Sequence, residues 1–104
     1  MANKWNIPSL LETEVRTRDL VCVYCGQAFT SPKVSARSAP SWEHIINDAT
    51  IVTRDNIALC CRGCNASKGQ KRVSDWLLSP CCKKRGINVE TVSPIVQQAI
   101  LNGE

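Results

Sequence analysis

Four cysteines stand in two pairs with the same internal spacing, a pattern typical of a metal site. Cys22 and Cys25 form the first pair and Cys61 and Cys64 the second, each with two residues between. Such a turn presents two thiolates to one ion without straining the backbone, and four thiolates suit the tetrahedral coordination of Zn²⁺. We therefore expect these four residues to hold a structural zinc ion.

Other interpretations of the seven cysteines stay open. They could be buried or disulfide-paired, and a redox-sensing thiol protein would contain no stoichiometric zinc. Cys60 competes with Cys61 as a ligand, but only Cys61 has the two-residue gap to Cys64. Cys81 and Cys82 have no partner at metal-ligand spacing, so we interpret them as small core residues or bystanders.

The polar residues around the cysteine pairs add a second pattern. The only histidine, His44, lies between the pairs and follows Glu43, Asn56 comes twelve residues later, and Asn65 directly follows the last cysteine of the second pair. In this order the chain resembles the HNH endonucleases of the ββα-metal superfamily: C-x-x-C, then Glu43-His44, Asn56, and C-x-x-C-N-x-x-K-G. The resemblance covers about residues 21–69, nearly half of the chain.

The resemblance implies a β-hairpin packed on a helix, with one divalent ion that takes part in cutting a phosphodiester bond. It makes His44 the general base that deprotonates the attacking water. It makes Glu43 and Asn65 the ligands of a catalytic Mg²⁺ or Mn²⁺, and Asn56 the residue that holds the hairpin loop and orients the histidine. Oxygen ligands suit a hard cation, and an imidazole suits proton transfer near neutral pH. We therefore expect imidazole, carboxylate and amide to converge on one hydrated cation.

Less specific roles are also open for these residues. Asn56 could be an ordinary turn residue, and Asn65 could cap a helix. The alternative function is a catalytically inactive zinc-ribbon module that binds nucleic acid. In that case Glu43, which stands where the family usually has aspartate, marks the loss of activity.

Two predicted strands carry the histidine and the first asparagine. Residues 42–46 are rich in aromatic and β-branched side chains and are bounded by turn-forming residues, and residues 56–60 are the second predicted strand. Residues 47–55 connect them, and residues 30–41 have the serine and proline content of a loop. A metal ion bound by both cysteine pairs would hold the two ends of this inserted hairpin together.

Helices are predicted on both sides of the hairpin. The sequence from Ser9 to Glu12 has the form of a capping box, which predicts a helix over about residues 9–19. Ser-Pro pairs at residues 79–80 and 93–94 predict further helix starts within a helical region of about residues 70–101. The predicted fold is therefore α+β: one domain over residues 1–104, with a small ββα-metal core.

Length and composition agree with one globular domain. The chain has 104 residues, of which 43% are hydrophobic and 21% charged, and this is too apolar for a disordered protein. No apolar run approaches the ~18 residues of a membrane helix, and the opening residues lack the pattern of a secretory signal. We expect a cytoplasmic protein without a membrane partner.

Positive charge is concentrated in one part of the chain. The net charge is +4, and residues 61–85 contain seven basic residues and one acidic residue. A basic face attracts phosphate in a salt-dependent way. We expect DNA contacts in this segment, although a merely solvated helix is the alternative. The predicted contacts are Arg62, Lys68, Lys71 and Arg72.

The resemblance leaves open whether the enzyme nicks DNA or cuts both strands. One active site cuts one strand, so double-strand cleavage favours a homodimer. The apolar residues from Ile95 to Leu101 are the candidate interface.

Overall fold

Five helices and a two-stranded sheet form the structure, a computed structural model that describes residues 5–104. In chain order the elements are α1 (Ser9–Arg18), β1 (Pro40–His44), β2 (Ile57–Cys61), α2 (Arg62–Lys68), α3 (Val73–Leu77), α4 (Pro80–Arg85) and α5 (Pro94–Leu101). None of these helices is long and apolar enough to cross a membrane. The predicted α+β class is confirmed.

The two strands pair antiparallel, with Pro40 opposite Cys61 and His44 opposite Ile57. β1 begins and ends two residues before the predicted strand 42–46, and β2 lies one residue later than predicted. The shift has a local cause. The Asn56 side chain binds both backbone groups of Ile46, so side-chain hydrogen bonds replace strand pairing at this end of the hairpin.

Both faces of the hairpin are covered, because successive side chains of a strand point to opposite sides. Ile57 and Leu59 pack with Val15 of α1 on one side, which we call the α1 face. Ala58 and Cys60 belong to the larger core cluster on the other side, the α2 face. That cluster also includes Tyr24, Ile45, Cys64, Val73, Trp76, Cys82 and Val96. All five residues of β2 are buried.

The start of α1 differs from the sequence prediction. The predicted capping box over Ser9 to Glu12 is wrong, because Ser9 is already inside the helix and Pro8 occupies the capping position without a side-chain hydrogen bond. The Glu12 N–H donates to the Pro8 carbonyl at 2.9 Å. This bond moves the first turn one residue toward the N-terminus.

The ends of α4 agree with their sequence signals. The Ser79 hydroxyl accepts a hydrogen bond from the Cys82 N–H at 3.4 Å, and Pro80 follows in the first turn. Gly86 ends the helix at φ +71°, in the left-handed region that glycine adopts without strain.

Most of the apolar face of α5 packs within its own chain. Val96 is fully buried, and Ile95, Ala99 and Ile100 pack against the core cluster. Leu101 is 80% exposed. The candidate dimer interface over Ile95 to Leu101 is thus largely used inside the molecule.

Candidate functional site

The four predicted zinc ligands lie together. The Sγ atoms of Cys22, Cys25, Cys61 and Cys64 are all within 4.8 Å of one another, and 3.9 Å separates those of Cys25 and Cys61. Tetrahedral zinc with Zn–S bonds of ~2.3 Å separates its sulfurs by about 3.8 Å. The cluster could therefore hold a structural metal such as zinc. Across residues 5–104 it is the one group of three or more cysteine, histidine or acidic side chains with metal-binding geometry.

Backbone amides support both cysteine pairs. The Cys25 N–H donates to Cys22 Sγ at 3.5 Å, and the Cys64 N–H donates to Cys61 Sγ at 3.4 Å. A hydrogen bond from the Cys64 thiol lowers the pKa of Cys22 to about 4, whereas burial raises the pKa of Cys25 to about 11. One thiolate is thus favoured without a metal, and a bound cation would favour the others.

The remaining cysteines lie outside this cluster. Cys60 is buried on the α2 face, where its sulfur is 3.8 Å from the Ser41 hydroxyl, and burial raises the pKa of its thiol. Cys82 is a core residue, as predicted, and Cys81 accepts a hydrogen bond from the Ser67 hydroxyl at 3.3 Å. The preference for Cys61 over Cys60 as the fourth ligand therefore agrees with the geometry.

Glu43 lies on the α2 face and is held by two neighbours. Its side chain is 8% exposed, and Oε2 accepts hydrogen bonds from the Tyr24 hydroxyl at 2.5 Å and from Lys68 Nζ at 3.2 Å. Both contacts use Oε2 and neither uses Oε1. Burial raises the pKa of Glu43, although the ammonium of Lys68 acts in the opposite direction.

Lys68 differs from its predicted role as a DNA contact. Its side chain is 1% exposed, and besides Glu43 it binds the Ile45 carbonyl at 3.2 Å. The physical reason is helical spacing: Lys68 lies one turn after the buried ligand Cys64 and therefore on the same side of α2. That spacing is the sequence signal that could have indicated burial. In this structure Lys68 is an internal partner of Glu43.

His44 lies on the opposite side of the hairpin from Glu43. Its ring meets the ring of Trp5 edge-on on the α1 face, with 5.1 Å between centroids. Nε2 is buried and has no hydrogen-bond partner within residues 5–104. Burial lowers the pKa of the imidazole below 6.5; nearby Asp48 opposes this shift and Lys68 adds to it. Burial therefore favours the neutral form of the ring, which has one nitrogen able to accept a proton.

Asn56 holds the loop end of the hairpin through its side chain. Its Oδ1 accepts from the Ile46 N–H at 2.6 Å, and its Nδ2 donates to the carbonyls of Ile46 at 3.3 Å and Ile51 at 3.0 Å. The Asn56 carbonyl also accepts from the Ile45 N–H at 2.9 Å. The residue fixes the backbone that directly follows His44.

Asn65 joins α2 to the first strand. Its Nδ2 donates to the Ser41 hydroxyl at 3.1 Å and to the Trp42 carbonyl at 3.2 Å. Neither contact uses Oδ1, the atom that a cation would bind.

The expected convergence of imidazole, carboxylate and amide on one cation is not observed among residues 5–104. Glu43 and Asn65 lie on the α2 side of the hairpin and His44 on the α1 side, so the strand separates the imidazole from the two predicted oxygen ligands. The alternation of side chains along β1 imposes this arrangement on any two consecutive residues.

The other predicted DNA contacts lie on the surface. Arg62 is exposed at the start of α2, and Lys71 and Arg72 are exposed between α2 and α3. These three cations are available to a phosphate.

Sequence reasoning missed three residues that support the polar groups: Trp5 beside His44, Tyr24 beside Glu43 and Ser41 beside Asn65. Tyr24 lies inside the first cysteine turn, where a buried aromatic residue signals contact with the core. Trp5 carries no such signal, because only the tertiary fold brings it to the histidine.

Comparisons with protein-family models, curated proteins and solved structures find no match to this chain.

Proposed function

We propose that the chain is a metal-dependent endonuclease that hydrolyses DNA phosphodiester bonds. The observation that carries this proposal is His44 at the end of β1, where burial favours the neutral imidazole and Nε2 has no hydrogen-bond partner within residues 5–104. Its strand continues into a hairpin that Asn56 fixes, followed by α2. The cysteine cluster, with zinc as its ion, holds the base of this unit.

In the proposed reaction His44 takes part in one proton transfer. The imidazole accepts a proton from water as the water oxygen bonds to phosphorus, and the bond from phosphorus to the 3′ oxygen breaks. The products carry a 5′ phosphate and a 3′ hydroxyl. In-line displacement places the entering and departing oxygens on opposite sides of phosphorus. Both oxygens belong to one phosphate, so the mechanism requires the imidazole and the oxygen ligands to reach the same phosphate.

The oxygen ligands fit a hard divalent cation. Within residues 5–104 the side-chain contacts of Glu43 use Oε2 and those of Asn65 use Nδ2. Glu43 Oε1 and Asn65 Oδ1 would hold Mg²⁺ or Mn²⁺. When bound, such an ion would neutralise charge on the phosphate and the departing oxygen. General base catalysis alone accelerates a reaction about 10²–10⁴-fold. The proposed endonuclease therefore needs both the base and the metal ion.

A second candidate function is a non-enzymatic zinc module that binds nucleic acid. The contacts of Glu43 with Tyr24 and Lys68 favour it, because they give the carboxylate a purely structural role. The two functions differ in one measurable respect: only the endonuclease breaks the DNA strand.

Plasmid nicking with Mg²⁺ or Mn²⁺ separates the two functions. We expect the zinc-loaded wild type to nick, and His44→Ala to lose at least about 10²-fold in rate while still binding DNA. Val34→Ala, at an exposed loop position, is the control and should nick like the wild type. Equal rates for wild type and His44→Ala would reject the mechanism.

The pH dependence of nicking gives a second check on the same assignment. A base acts in its deprotonated form, so activity should rise with pH through the pKa of His44 and then level off. Because burial lowers that pKa, the midpoint is expected below 6.5. A midpoint above 6.5, or a flat profile in acid, would indicate a different base.

A further inference from the structure

A groove beside the start of α2 combines two arginines with a floor of small residues. It has a volume of about 510 Å³. Its lining residues are Ala36, Arg37, Arg62, Gly63, Ala66 and Ser67. None of the six is acidic, and both arginines are exposed. We call this feature the arginine groove.

The loop before β1 is anchored to α2, so one wall of the groove is fixed in place. The Gly63 N–H donates to the Arg37 carbonyl at 3.0 Å, and the Arg62 N–H donates to the Ala39 carbonyl at 3.0 Å. The Arg37 guanidinium passes directly over Gly63: a Cβ at this glycine would lie 3.6 Å from Nε and 3.7 Å from Nη2. The backbone that carries Arg37 is thus fixed before an anion binds.

Positive potential extends to the side of the groove formed by Ser67. The Ser67 hydroxyl donates to the Cys81 sulfur, and this bond, together with nearby Arg85 and Arg37, lowers the pKa of the Cys81 thiol. Arg85 thus lies near the Ser67 side of the groove, in addition to the two arginines that line it. The combination matches one strand of a nucleic acid, in which anionic phosphates alternate with weakly polar sugars.

We propose that the arginine groove binds the sugar-phosphate backbone of the DNA substrate, with Arg37 and Arg62 on phosphate oxygens and the small floor residues against deoxyribose. This proposal rests on the DNA-directed function proposed above. It adds a contact region from the loop before β1, a segment outside the predicted basic run of residues 61–85.

The groove lies at the opposite end of the hairpin from the histidine. Arg62 follows Cys61, which pairs with Pro40, and His44 is at the other end of β1. Four residues of strand span about 13 Å at ~3.3 Å per residue. That length corresponds to about four nucleotides at ~3.4 Å per nucleotide of B-form DNA.

The first test measures how salt affects DNA binding. A labelled duplex is titrated with zinc-loaded protein without Mg²⁺ or Mn²⁺, across a range of KCl concentrations. Arg37→Ala and Arg62→Ala should each weaken binding and lower the slope of log K against log salt by about one. Ala66→Glu keeps both arginines, places a negative charge on the floor, and should also weaken binding.

Arg54→Ala is the matched control, because the Arg54 guanidinium is paired with Glu14 at 2.8 Å and lies away from the groove. Its slope should equal that of the wild type. Suppose that the wild type binds and nicks DNA but that Arg37→Ala and Arg62→Ala both keep its slope. This result would overturn the proposed role of the arginine groove and leave the proposed endonuclease activity intact. A wild type that does not bind DNA would overturn both proposals.

The second test locates the contact on the DNA. A single neutral methylphosphonate is placed at successive positions relative to the cut bond. The affinity of the wild type should fall most when the methylphosphonate is about four nucleotides from the cut. The same modification should lower the affinity of Arg37→Ala only slightly, because this variant already lacks the contact. An equal loss in both proteins would show that Arg37 does not contact that phosphate.

Discussion

At the residue scale, the buried pair of Glu43 and Lys68 has the clearest energetic consequence. Both side chains are nearly inaccessible, at 8% and 1% exposure, and 3.2 Å separates Oε2 from Nζ. Removing one member of such a pair leaves an uncompensated charge in the interior. Replacing both members by neutral side chains of similar size removes this penalty.

We expect Lys68→Ala to lower the free energy of unfolding by about 3–5 kcal/mol. The double variant Lys68→Met with Glu43→Gln should lose much less, because no isolated charge remains. Urea denaturation of the zinc-loaded proteins measures both values. Lys71→Ala, at an exposed lysine, is the control and should stay within about 0.5 kcal/mol of the wild type. If Lys68→Ala lowers the free energy of unfolding by no more than about 0.5 kcal/mol, the ion pair of Lys68 and Glu43 does not stabilise the fold as proposed.

At the element scale, Asn56 determines where the hairpin stops pairing. Its side chain makes three hydrogen bonds to the backbone of Ile46 and Ile51, and the residue is 2% exposed. Asn56→Ala should lower the free energy of unfolding by about 2–3 kcal/mol, because buried backbone groups lose their partners. It should also speed hydrogen exchange of the Ile46 amide.

Asn56→Asp separates the two halves of this interaction. The carboxylate keeps an acceptor for the Ile46 N–H but cannot donate to the two carbonyls. Amide exchange at Ile46 should therefore stay slower than in Asn56→Ala. If both variants exchange at the wild-type rate, the side chain does not hold the loop.

Local signals in the sequence predict some element boundaries and miss others. The Ser79-Pro80 start and the Gly86 end of α4 are read correctly, since capping depends on neighbouring residues. The Ser9 capping box fails because Pro8 offers its carbonyl one residue earlier, and both options fit the same pattern. The strand ends also shift, since side-chain contacts of Asn56 compete with backbone pairing.

At the scale of the whole molecule, the cysteine cluster joins the segment before the hairpin to its last strand and α2. Apparent zinc affinities in such sites are worth about 10–16 kcal/mol, comparable with the ~5–15 kcal/mol stability of a domain. We expect a strong chelator to unfold the protein, with loss of circular dichroism and release of one zinc per chain.

Two neighbouring cysteines provide the matched comparison. Cys61→Ser should abolish stoichiometric zinc, whereas Cys60→Ser should retain it, because Cys60 lies outside the cluster. Metal analysis of both purified variants measures the difference. Equal zinc content in the two would contradict the assignment of Cys61.

The candidate site is predictable where spacing along the chain decides and unpredictable where the tertiary fold decides. Cys22, Cys25, Cys61 and Cys64 are identified by spacing alone, and the structure brings them together. The burial of Lys68 and the contact of Trp5 with His44 depend on which faces pack. Single-sequence patterns give side-chain periodicity but not the neighbours across a face.

The cysteine cluster also sets how freely the intervening chain can vary in length. Residues 26–60 form a closed loop of 35 residues between the two cysteine pairs. The entropy of closing such a loop grows only logarithmically, so doubling its length costs about 0.6 kcal/mol. Insertions at the exposed tip near Val34 would therefore leave the closure almost unaffected, and new recognition segments can be added there without rebuilding the fold.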